Sequence, residues 1–535
     1  MKIRIIQNTP RVGDIEGNTH LICEAIIQAE RLHMDLIVFP ELVVTGYPPE
    51  DLLLRPAFLA QVEEATKHII QQSGQSIVVF GAPYFDGKHL KNSAFIAYCG
   101  KLVGIYHKQC LPNYGVFDEQ RYFTAGDGQQ SVFKINGWSI GIGICEDLWH
   151  DSLAESQQKS PCDIWLNLNA SPFHTDKQLE REGLTSRRAK QFKVPLVYVN
   201  PVGGQDEVVF DGGSHVMDTN GCLLLRAPLF VDDVYDVNIE AVGLEDISEI
   251  PERIEQIHQA LVLGVKDYVL RNGSTQVVLG LSGGIDSALT AAIAVEALGA
   301  ENVLGVLLPS SFSSNHSIAD AEQLVSNLAI ESITLPIADT VSVVETTLNS
   351  TFEAWGKNVA DVTEENIQAR TRGILLMAIS NKTGRMLLTT GNKSEMAVGY
   401  ATLYGDMAGG FAVLKDVYKT DVFALCHHLN REHEVIPQNT IDKPPSAELR
   451  PDQKDSDSLP DYADLDAILK ASIEDRLSVD DIAALGFERA EVVRIVRLLH
   501  LAEYKRRQAP PGIKIMHRSF GRERRYPITH KFRES

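Results

Sequence analysis

The sequence predicts an α/β protein of two domains, each built around its own sheet. The length of 535 residues exceeds the roughly 250–300 residues at which a single hydrophobic core stops growing. In the first half some strands are joined by helices and others by tight turns, whereas the second half repeats a strand–helix unit. We therefore expect an α/β sandwich followed by a doubly wound parallel sheet.

The first domain, expected over residues 1–245, is defined by short β-rich runs. Helical patterns such as EGNTHLICEAIIQAERLHM separate some of these runs, and turns such as YCGKLVG join others. The runs are KIRIIQ, DLIVFP, SIVVFGAP, SAFIAYC, WSIGIGIC, DIWLNLNAS, LVYVNPVG and SHVMD. The pattern fades near residue 240, and the acidic, proline-containing segment that follows predicts a linker over residues 246–258.

The second domain is predicted over residues 259–535. The helical pattern IEQIHQALVLGVKDYVL precedes the strand QVVLGL, a glycine turn and the helix SALTAAIAVEALG. The strand NVLGVLLP and a further helix and strand follow, which is the connectivity of a parallel doubly wound sheet. A polar loop over residues 442–462 interrupts this pattern and is a candidate lid.

Composition and charge exclude several classes of protein. Because no run of about 18 apolar residues occurs and the start MKIRIIQNTP lacks the features of a signal peptide, we expect a cytoplasmic protein without a transmembrane helix. A net charge of −21 argues against general nucleic-acid binding. Seven scattered cysteines without a CxxC pair disfavour a disulfide framework and a structural zinc site.

The stretch GICEDLWH contains the first candidate reactive group, Cys145. Three isoleucines alternate with Gly141, Gly143 and Cys145, so a period of two places the cysteine on a face that glycines leave nearly bare. Room beside the sulfur favours a nucleophile over an inert buried cysteine, although most cysteines are inert. The alternative is a metal site, which is disfavoured because the stretch offers only one cysteine and no second His/Cys pair lies close in sequence. It would use Cys145, Glu146, Asp147 and His150.

Glu41 and Lys108 supply the groups that a thiol nucleophile needs. Glu41 follows the apolar strand in DLIVFPELVVTGYPPEDLL, and Lys108 follows a strand-like run in GIYHKQCLPNYGVFDEQRYF. A free thiol, with a pKa of about 8.5, is mostly protonated at neutral pH. A carboxylate can accept its proton, and an ammonium can stabilise the thiolate and a later oxyanion. Either residue alone could be a surface charge, but with Cys145 they form a complete amide-hydrolysing set.

Four segments of the first domain resemble the nitrilase superfamily, and specifically its glutamine-hydrolysing branch. They are FPELVVTGYPPEDLL, HKQCLPNYGVFDEQRYF, GICEDLWH and LNLNASPFH. The resemblance implies a four-layer α-β-β-α sandwich, with Glu41 as general base, Lys108 as charge stabiliser and Cys145 as nucleophile. It also implies glutamine contacts at Tyr114, Ser171 and Lys177.

In the second domain, VVLGLSGGIDSALTAA joins a strand to a helix through a glycine turn. Successive backbone amides in such a turn, together with the helix N-terminus, form a cradle for a polyanion. Asp286 would repel phosphate there unless it holds a magnesium ion that bridges phosphates. No GxxxxGK[ST] pattern occurs, so the turn is not a Walker loop.

The SGGxDS motif resembles the N-type ATP pyrophosphatase family, whose members split ATP into AMP and pyrophosphate while adenylating an acceptor. Known branches make NAD, GMP, asparagine, argininosuccinate and modified tRNA. Four further segments resemble the NAD synthetase branch over most of residues 260–515. They are ENIQARTRGILLMAISNKTG, LLTTGNKSEMAVGYATLYGDMAGGFAVLKDVYKTDVF, DKPPSAELRPDQKDSDSLPDY and EYKRRQAPPG.

The resemblance implies contacts to ATP, to deamido-NAD and to Mg²⁺. The ATP contacts are Gly280, Leu281, Ser282, Gly283, Gly284, Ile285, Asp286, Ser287, Thr390, Lys419 and Ser446. The deamido-NAD contacts are Asn366, Arg370, Glu395 and Lys505, and the magnesium ligands are Asp286 and Glu395. Taken singly, Arg370 and Lys505 would be surface charges and Glu395 a helix-face carboxylate. The sequence departs from shorter, ammonia-using relatives at Leu403, where they carry a lysine.

Together the two resemblances imply a ligase that hydrolyses glutamine, adenylates deamido-NAD with ATP and amidates it to NAD. Internal release keeps ammonia unprotonated and concentrated, so we expect a tunnel between the domains or between subunits. The family implies a homo-oligomer, a dimer or larger. Two alternatives are an amidating ATP pyrophosphatase with another acceptor and a nucleotide-sensing or scaffold protein with a degenerate hydrolase. The second is disfavoured by the presence of Glu41, Lys108, Cys145 and Asp286.

Overall fold

The chain forms two compact units, Met1–Glu252 and Arg253–Ser535. The computed structural model describes residues 1–128, 131–157, 160–240, 247–357, 359–451, 453–532 and 534. Each unit has its own sheets and its own apolar core.

The first unit contains two six-stranded sheets and a two-stranded ribbon. Its strands are β1 (Lys2–Gln7), β2 (Leu36–Val38), β3 (Ile77–Phe85), β4 (Leu90–Tyr98), β5 (Lys101–His107), β6 (Val132–Ile135), β7 (Trp138–Ile144), β8 (Ile164–Leu168), β9 (Leu196–Val199), β10 (Val202–Gln205), β11 (Val208–Asp211), β12 (His215–Met217), β13 (Leu223–Arg226) and β14 (Asp233–Asn238). Its helices are α1 (Ile15–Arg31), α2 (Pro56–Gln72), α3 (Asp151–Gln157) and α4 (Lys177–Phe192). The sheet orders are β14-β1-β2-β3-β4-β5 and β13-β12-β9-β8-β7-β6.

The two six-stranded sheets face each other across one apolar core, to which Ile5 and Val38 of one sheet and Ile142 of the other contribute. Helices α1 and α2 cover the outer face of the first sheet, and α4 covers the outer face of the second. Strands buried on both faces need apolar side chains at successive positions, which explains the continuous apolar runs in the sequence. The predicted four-layer α-β-β-α sandwich is confirmed.

The second unit is built on one parallel sheet. Its strands are β15 (Val277–Leu281), β16 (Val303–Leu307), β17 (Glu331–Thr334), β18 (Met386–Thr389) and β19 (Phe411–Ala412). Its helices are α5 (Arg253–Arg271), α6 (Ile285–Leu298), α7 (Asn315–Leu328), α8 (Ala338–Ala354), α9 (Val362–Thr383), α10 (Lys393–Val398), α11 (Lys419–Leu429), α12 (Gln438–Asp442), α13 (Tyr462–Ile473), α14 (Val479–Ala484), α15 (Arg489–Leu501) and α16 (Glu503–Arg506).

The strand order β17-β16-β15-β18-β19, with every pair parallel, confirms the predicted doubly wound sheet. Chain order reverses beside β15, and ligands of such sheets bind at the carboxyl ends of strands beside this reversal. The glycine turn of the SGGxDS motif leaves the carboxyl end of β15. The topology therefore places the predicted ATP loop where this fold binds ligands.

The structure differs from the predicted linker over residues 246–258. Residue 246 lies outside the described residues, and Ile247 forms a parallel bridge with Arg226 of the first unit. Helix α5 already begins at Arg253, whose guanidinium is 2.6 Å from a carboxylate oxygen of Asp421 in α11. The helix therefore begins within one residue of its apolar pattern, and the linker is shorter than predicted at its C-terminal end.

None of the helices in the described ranges combines the length and the apolar character needed to cross a membrane.

The glycine face of β7 is filled by the neighbouring strand. Gly141 pairs with Trp165 of β8 and Gly143 pairs with Asn167, and both side chains occupy the space above the glycines. The expectation of a nearly bare face is therefore wrong. Alternation within one strand shows which side chains are small but does not show what the next strand places over them.

We expect Gly141→Ala to destabilise the first unit by about 1–3 kcal/mol because the added methyl overpacks this contact. A Cβ at Gly141 would lie 2.3 Å from Cε3 of Trp165. Urea unfolding followed by tryptophan fluorescence measures the loss. The matched control is Gly183→Ala in α4, where nothing lies within 4 Å of the added carbon. That change should be neutral or stabilising, and equal losses for both variants would contradict this packing.

Candidate active sites

Cys145 lies in a sharp turn at the end of β7. It begins a short 3₁₀ turn, Cys145–Leu148, and its φ of +45° lies in the left-handed region that residues with a side chain rarely adopt. The strand alternation that predicted its direction therefore ends one residue before it. Strained positions of this kind are concentrated at functional sites. The residue is only 4 % exposed.

The carboxylate of Asp147 fixes this turn. Its Oδ2 accepts hydrogen bonds from the backbone N–H of Ile144 (3.1 Å) and the hydroxyl of Tyr106 (2.9 Å). Its Oδ1 accepts from the backbone N–H groups of Gln109 (3.0 Å) and Cys110 (2.8 Å). Burial raises the pKa of Asp147 to about 6. One buried carboxylate thus ties the turn to the segment that follows β5.

The polar side chains of Glu146, Asp147 and His150, which also belong to GICEDLWH, do not all face the same place. Glu146 accepts a hydrogen bond from the hydroxyl of Tyr114 (3.0 Å) and lies 3.5 Å from Nε2 of His150, which is half-exposed. Asp147 instead faces the backbone of the neighbouring segment. The four candidate ligands of the alternative metal site therefore do not converge on one point.

Glu41 and Lys108 form a buried ion pair. Nζ of Lys108 lies 2.7 Å from Oε1 of Glu41 and 2.7 Å from Oε1 of Glu119, and these side chains are at most 5 % exposed. Glu41 also accepts hydrogen bonds from Nδ2 of Asn92 (2.7 Å) and from the backbone N–H of Ala170 (3.1 Å). Residues far apart in sequence thereby hold one carboxylate in a fixed position.

The charges of this site act on Cys145. Burial raises the pKa of Glu41 to about 7, and the charge of Glu119 raises it while Lys108 lowers it. Burial, and then the charge of Glu41, raises the pKa of the Cys145 thiol well above its ordinary value, which Lys108 counteracts. Burial lowers the pKa of Lys108, but the carboxylates of Glu119 and Glu41 more than reverse this. A neutral thiol, a base and an ammonium are therefore combined in one buried site.

Glu119 was not among the residues predicted from sequence. It lies eleven residues beyond Lys108, in the polar stretch FDEQRYF, where nothing local separates it from a solvent-exposed acid. In the structure it is buried and also accepts a hydrogen bond from the hydroxyl of Tyr47 (2.8 Å). Its Oε2 is buried and has no hydrogen-bond partner among the residues that the structure describes.

The three predicted glutamine contacts occupy different surroundings. Tyr114 is exposed, and its hydroxyl donates a hydrogen bond to Glu146, the residue after Cys145. Ser171 is buried, and its Oγ accepts a hydrogen bond from Nε of Arg181 (3.2 Å). Lys177 is the first residue of α4, and its Nζ lies 4.4 Å from the ring centre of Trp149.

The second site is a cavity of about 320 Å³ in the second unit. Its lining includes all of residues 280–287 except Gly283, together with Thr390, Glu395, Lys419 and Ser446. Gly283 instead faces the start of α7: its φ is +76°, and a Cβ there would lie 2.1 Å from the carbonyl oxygen of Ser317. Only glycine fits at that position.

Within the cavity, Lys419 lies between two carboxylates. Its Nζ is 2.5 Å from Oδ2 of Asp286 and 3.2 Å from Oε1 of Glu395. Burial raises the pKa of Glu395 to about 7; Lys419 lowers it, and Asp286 and Asp455 raise it. Oδ1 of Asp455 is buried without a hydrogen-bond partner in the described part of the chain. Three carboxylates around one ammonium carry excess negative charge, and such oxygen donors fit Mg²⁺.

Three of the predicted deamido-NAD contacts lie outside the cavity lining and meet at the turn over residues 399–403. Nε of Arg370 donates to the carbonyl of Leu403 (3.2 Å), and Nζ of Lys505 donates to two other carbonyls of the turn (2.6 and 2.7 Å). Oδ1 of Asn366 accepts from a threonine hydroxyl of the same turn (2.9 Å). The structure brings these three residues together at the turn, whereas the side chain of the fourth, Glu395, lines the cavity.

Two protein families match the two units. The carbon-nitrogen hydrolase family matches residues 2–251, and the NAD synthase family matches residues 257–509. The glutamine-dependent NAD(+) synthetase of Acinetobacter baylyi is 45 % identical over 539 residues, which cover 99 % of each chain. That of Thermotoga maritima is 43 % identical over 575 residues, which cover 100 % of this chain and 99 % of its own.

Solved structures agree with these sequence matches. The glutamine-dependent NAD+ synthetase of Acinetobacter baumannii, in complex with ADP, superposes with a TM-score of 0.79 at 43 % identity and covers 100 % of this chain and 99 % of its own. The enzyme from Cytophaga hutchinsonii, at 24 % identity, shares the fold with a TM-score of 0.85 over 99 % of this chain and 97 % of its own.

We expect Lys108→Met to destabilise the first unit by about 3–5 kcal/mol at pH 8, because it leaves two buried carboxylates unpaired. The loss should shrink at pH 6, below the pKa of about 7 of Glu41, where protonation removes part of the charge. Urea unfolding at both pH values measures it. The control is Lys67→Met, which removes an exposed lysine paired with Glu63 and Glu64 and should leave the midpoint unchanged. A loss independent of pH would contradict the electrostatic cause.

Proposed function

This chain belongs to the family of glutamine-dependent NAD(+) synthetases, and we propose on that premise that it makes NAD by amidating deamido-NAD with nitrogen taken from glutamine. The observation that carries this proposal is the presence of two separate sites: a buried thiol, base and ammonium in one unit and a glycine-loop cavity with carboxylates in the other. The first suits amide hydrolysis and the second suits nucleotide chemistry.

In the first unit, Glu41 accepts the proton of Cys145 while the sulfur attacks the side-chain amide carbon of glutamine. Lys108 stabilises the negative charge that develops on the amide oxygen. Glu41 then gives the proton to the departing nitrogen, ammonia leaves and a thioester remains. Water attacks the thioester with Glu41 again as base, which releases glutamate and restores the thiol. Tyr114, Ser171 and Lys177 are proposed to position the glutamine.

In the second unit, the amides of residues 280–287 hold the phosphates of ATP, and Thr390, Lys419 and Ser446 bind the nucleotide from the other walls of the cavity. Asp286 and Glu395 would hold Mg²⁺, which supplies charge neutralisation at the phosphates when bound. Asn366, Arg370, Glu395 and Lys505 are proposed to bind deamido-NAD.

The carboxylate of deamido-NAD attacks the α-phosphorus of ATP, pyrophosphate departs and an acyl adenylate forms. Ammonia attacks the acyl carbon, and after loss of a proton the products are NAD and AMP. The polar loop over residues 442–462, part of which lines the cavity at Ser446, is proposed to close over the adenylate. The homo-oligomer, the cytoplasmic location and the internal passage of ammonia stay predictions.

Cys145→Ala should lower glutamine-driven synthesis of NAD by at least about 10³-fold, because it removes the nucleophile. Synthesis driven by ammonium should stay near the original rate, since the second site does not use the thiol. Asp286→Asn should lower both rates. NAD formation and pyrophosphate release, with each nitrogen source, measure the outcome.

The matched control for this experiment is Cys222→Ala, which removes an exposed cysteine of the same unit and should leave both rates unchanged. Loss of ammonium-driven synthesis in Cys145→Ala would contradict two separable sites. Normal turnover of Asp286→Asn would contradict its role at the phosphates.

Glutamine hydrolysis should fall as the pH drops through about 7, because Glu41 must be ionised to accept the thiol proton. Glu119→Gln removes a negative charge that raises the pKa of Glu41, so the acid limb of kcat/KM should move to lower pH. Glutamate release measured across the pH range gives the midpoint of each variant. Glu63→Gln, an exposed carboxylate of α2, should not move it. A limb that moves to higher pH in Glu119→Gln would contradict this coupling.

A further inference from the structure

We propose that the second unit contains a binding site for a divalent transition-metal ion, formed by Glu255, His258 and His428. Each residue offers one ligand atom, and these atoms lie within 4.8 Å of one another. The site is separate from the carboxylates of the ATP cavity, because none of the three residues lines that cavity.

Two helices supply the ligands. Glu255 and His258 are three positions apart in α5, so they lie on one face of that helix. His428 comes from the last turn of α11, which packs against α5. The rings of the two histidines are 5.5 Å apart, measured between their centroids. An ion at this place would join the two helices.

The two ring nitrogens of His258 have different surroundings, as they do in metal-bound histidines. Its side chain is 9 % exposed, and its Nε2 lies 2.7 Å from Oε2 of Glu296. Nδ1 of the same ring is buried and has no hydrogen-bond partner within the described residues. A carboxylate that holds the proton of one ring nitrogen leaves the lone pair of the other available, which is the usual arrangement behind a metal-bound histidine. A ligand on Nδ1 would satisfy an otherwise unexplained buried acceptor.

His428 and Glu255 already contact each other. Nε2 of His428 lies 2.8 Å from Oε2 of Glu255, and both side chains are largely buried. Nε2 of His428 and Oε2 of Glu255 are therefore close enough for one ion to contact both.

Arg431 competes with an ion for this site. Its Nη1 is 3.1 Å from Oε2 of Glu255 and 3.1 Å from Nε2 of His428. Its side chain is 57 % exposed, so it can turn to solvent when an ion binds. We therefore expect a weaker site in the original chain than in a variant without this charge.

The ligand set selects the class of ion. Two imidazoles and one carboxylate suit Zn²⁺, Co²⁺, Ni²⁺ or Cu²⁺, whereas Mg²⁺ and Ca²⁺ prefer oxygen ligands throughout. Three protein ligands leave a fourth position for water. Because α11 begins at Lys419 in the ATP cavity, an ion at its other end would also restrain the helix that carries that lysine.

The test is titration of the tag-free, full-length chain with Co²⁺ after treatment with a chelator. We expect one ion per chain with visible d–d absorption and without a thiolate charge-transfer band, since the ligands are nitrogen and oxygen. Zn²⁺ should displace the ion and Mg²⁺ should not. A thiolate band, or the absence of stoichiometric binding, would overturn the proposal.

Variants locate the site. His258→Gln and His428→Gln should each weaken binding by about 10–100-fold or more. His427→Gln changes the neighbouring exposed histidine of α11 and should leave the affinity unchanged. Arg431→Gln should tighten binding, which is a gain that misfolding cannot produce. Binding that survives both ligand substitutions, or that does not tighten in Arg431→Gln, would overturn the assignment of these residues.

Discussion

The ammonium of Lys108 lies between two buried carboxylates, and the arrangement of the first site depends on this contact. Burying Glu41 and Glu119 without a cation would cost several kcal/mol per charge. Lys108 offsets only part of that cost, because two carboxylates share one ammonium. Burial, and then the charge of Glu119, keeps the pKa of Glu41 at about 7 despite the ammonium of Lys108. A base with a pKa near the working pH is efficient in proton transfer.

The second site also contains a buried lysine that contacts two carboxylates, but its chemistry is different. Lys419 contacts Asp286 and Glu395, and the pKa of Glu395 is again raised to about 7. The neighbouring groups decide what each cluster can do. Glu41 lies in a site with a thiol, so its carboxylate can serve as a proton acceptor. Asp286 lies in a glycine loop suited to phosphate, so its carboxylate can serve there only with a cation that offsets its repulsion of phosphate.

The features that the sequence could predict are those encoded by neighbouring residues. Strands buried on both faces leave continuous apolar runs, so the architecture of the sheets could be predicted. The SGGxDS turn is a local motif, and its role as a phosphate loop stays a prediction. Glu119, the side chain of Trp165 over the glycines, and three of the four donors held by Asp147 all depend on partners more than ten residues away. A pattern of neighbouring residues cannot predict contacts with such distant partners. The cluster of Glu255, His258 and His428 was missed for the same reason.

Both reactive loops leave a strand through a residue with positive φ, and they differ in how this is tolerated. At Gly283 the backbone passes so close to the carbonyl of Ser317 that a side chain is excluded, and glycine adopts the conformation without strain. At Cys145 the chemistry requires a side chain, so the left-handed conformation costs about 1–3 kcal/mol. The hydrogen bonds of Asp147 to the adjoining backbone offset that cost. The position of the thiol therefore depends on a carboxylate two residues away that takes no part in the reaction.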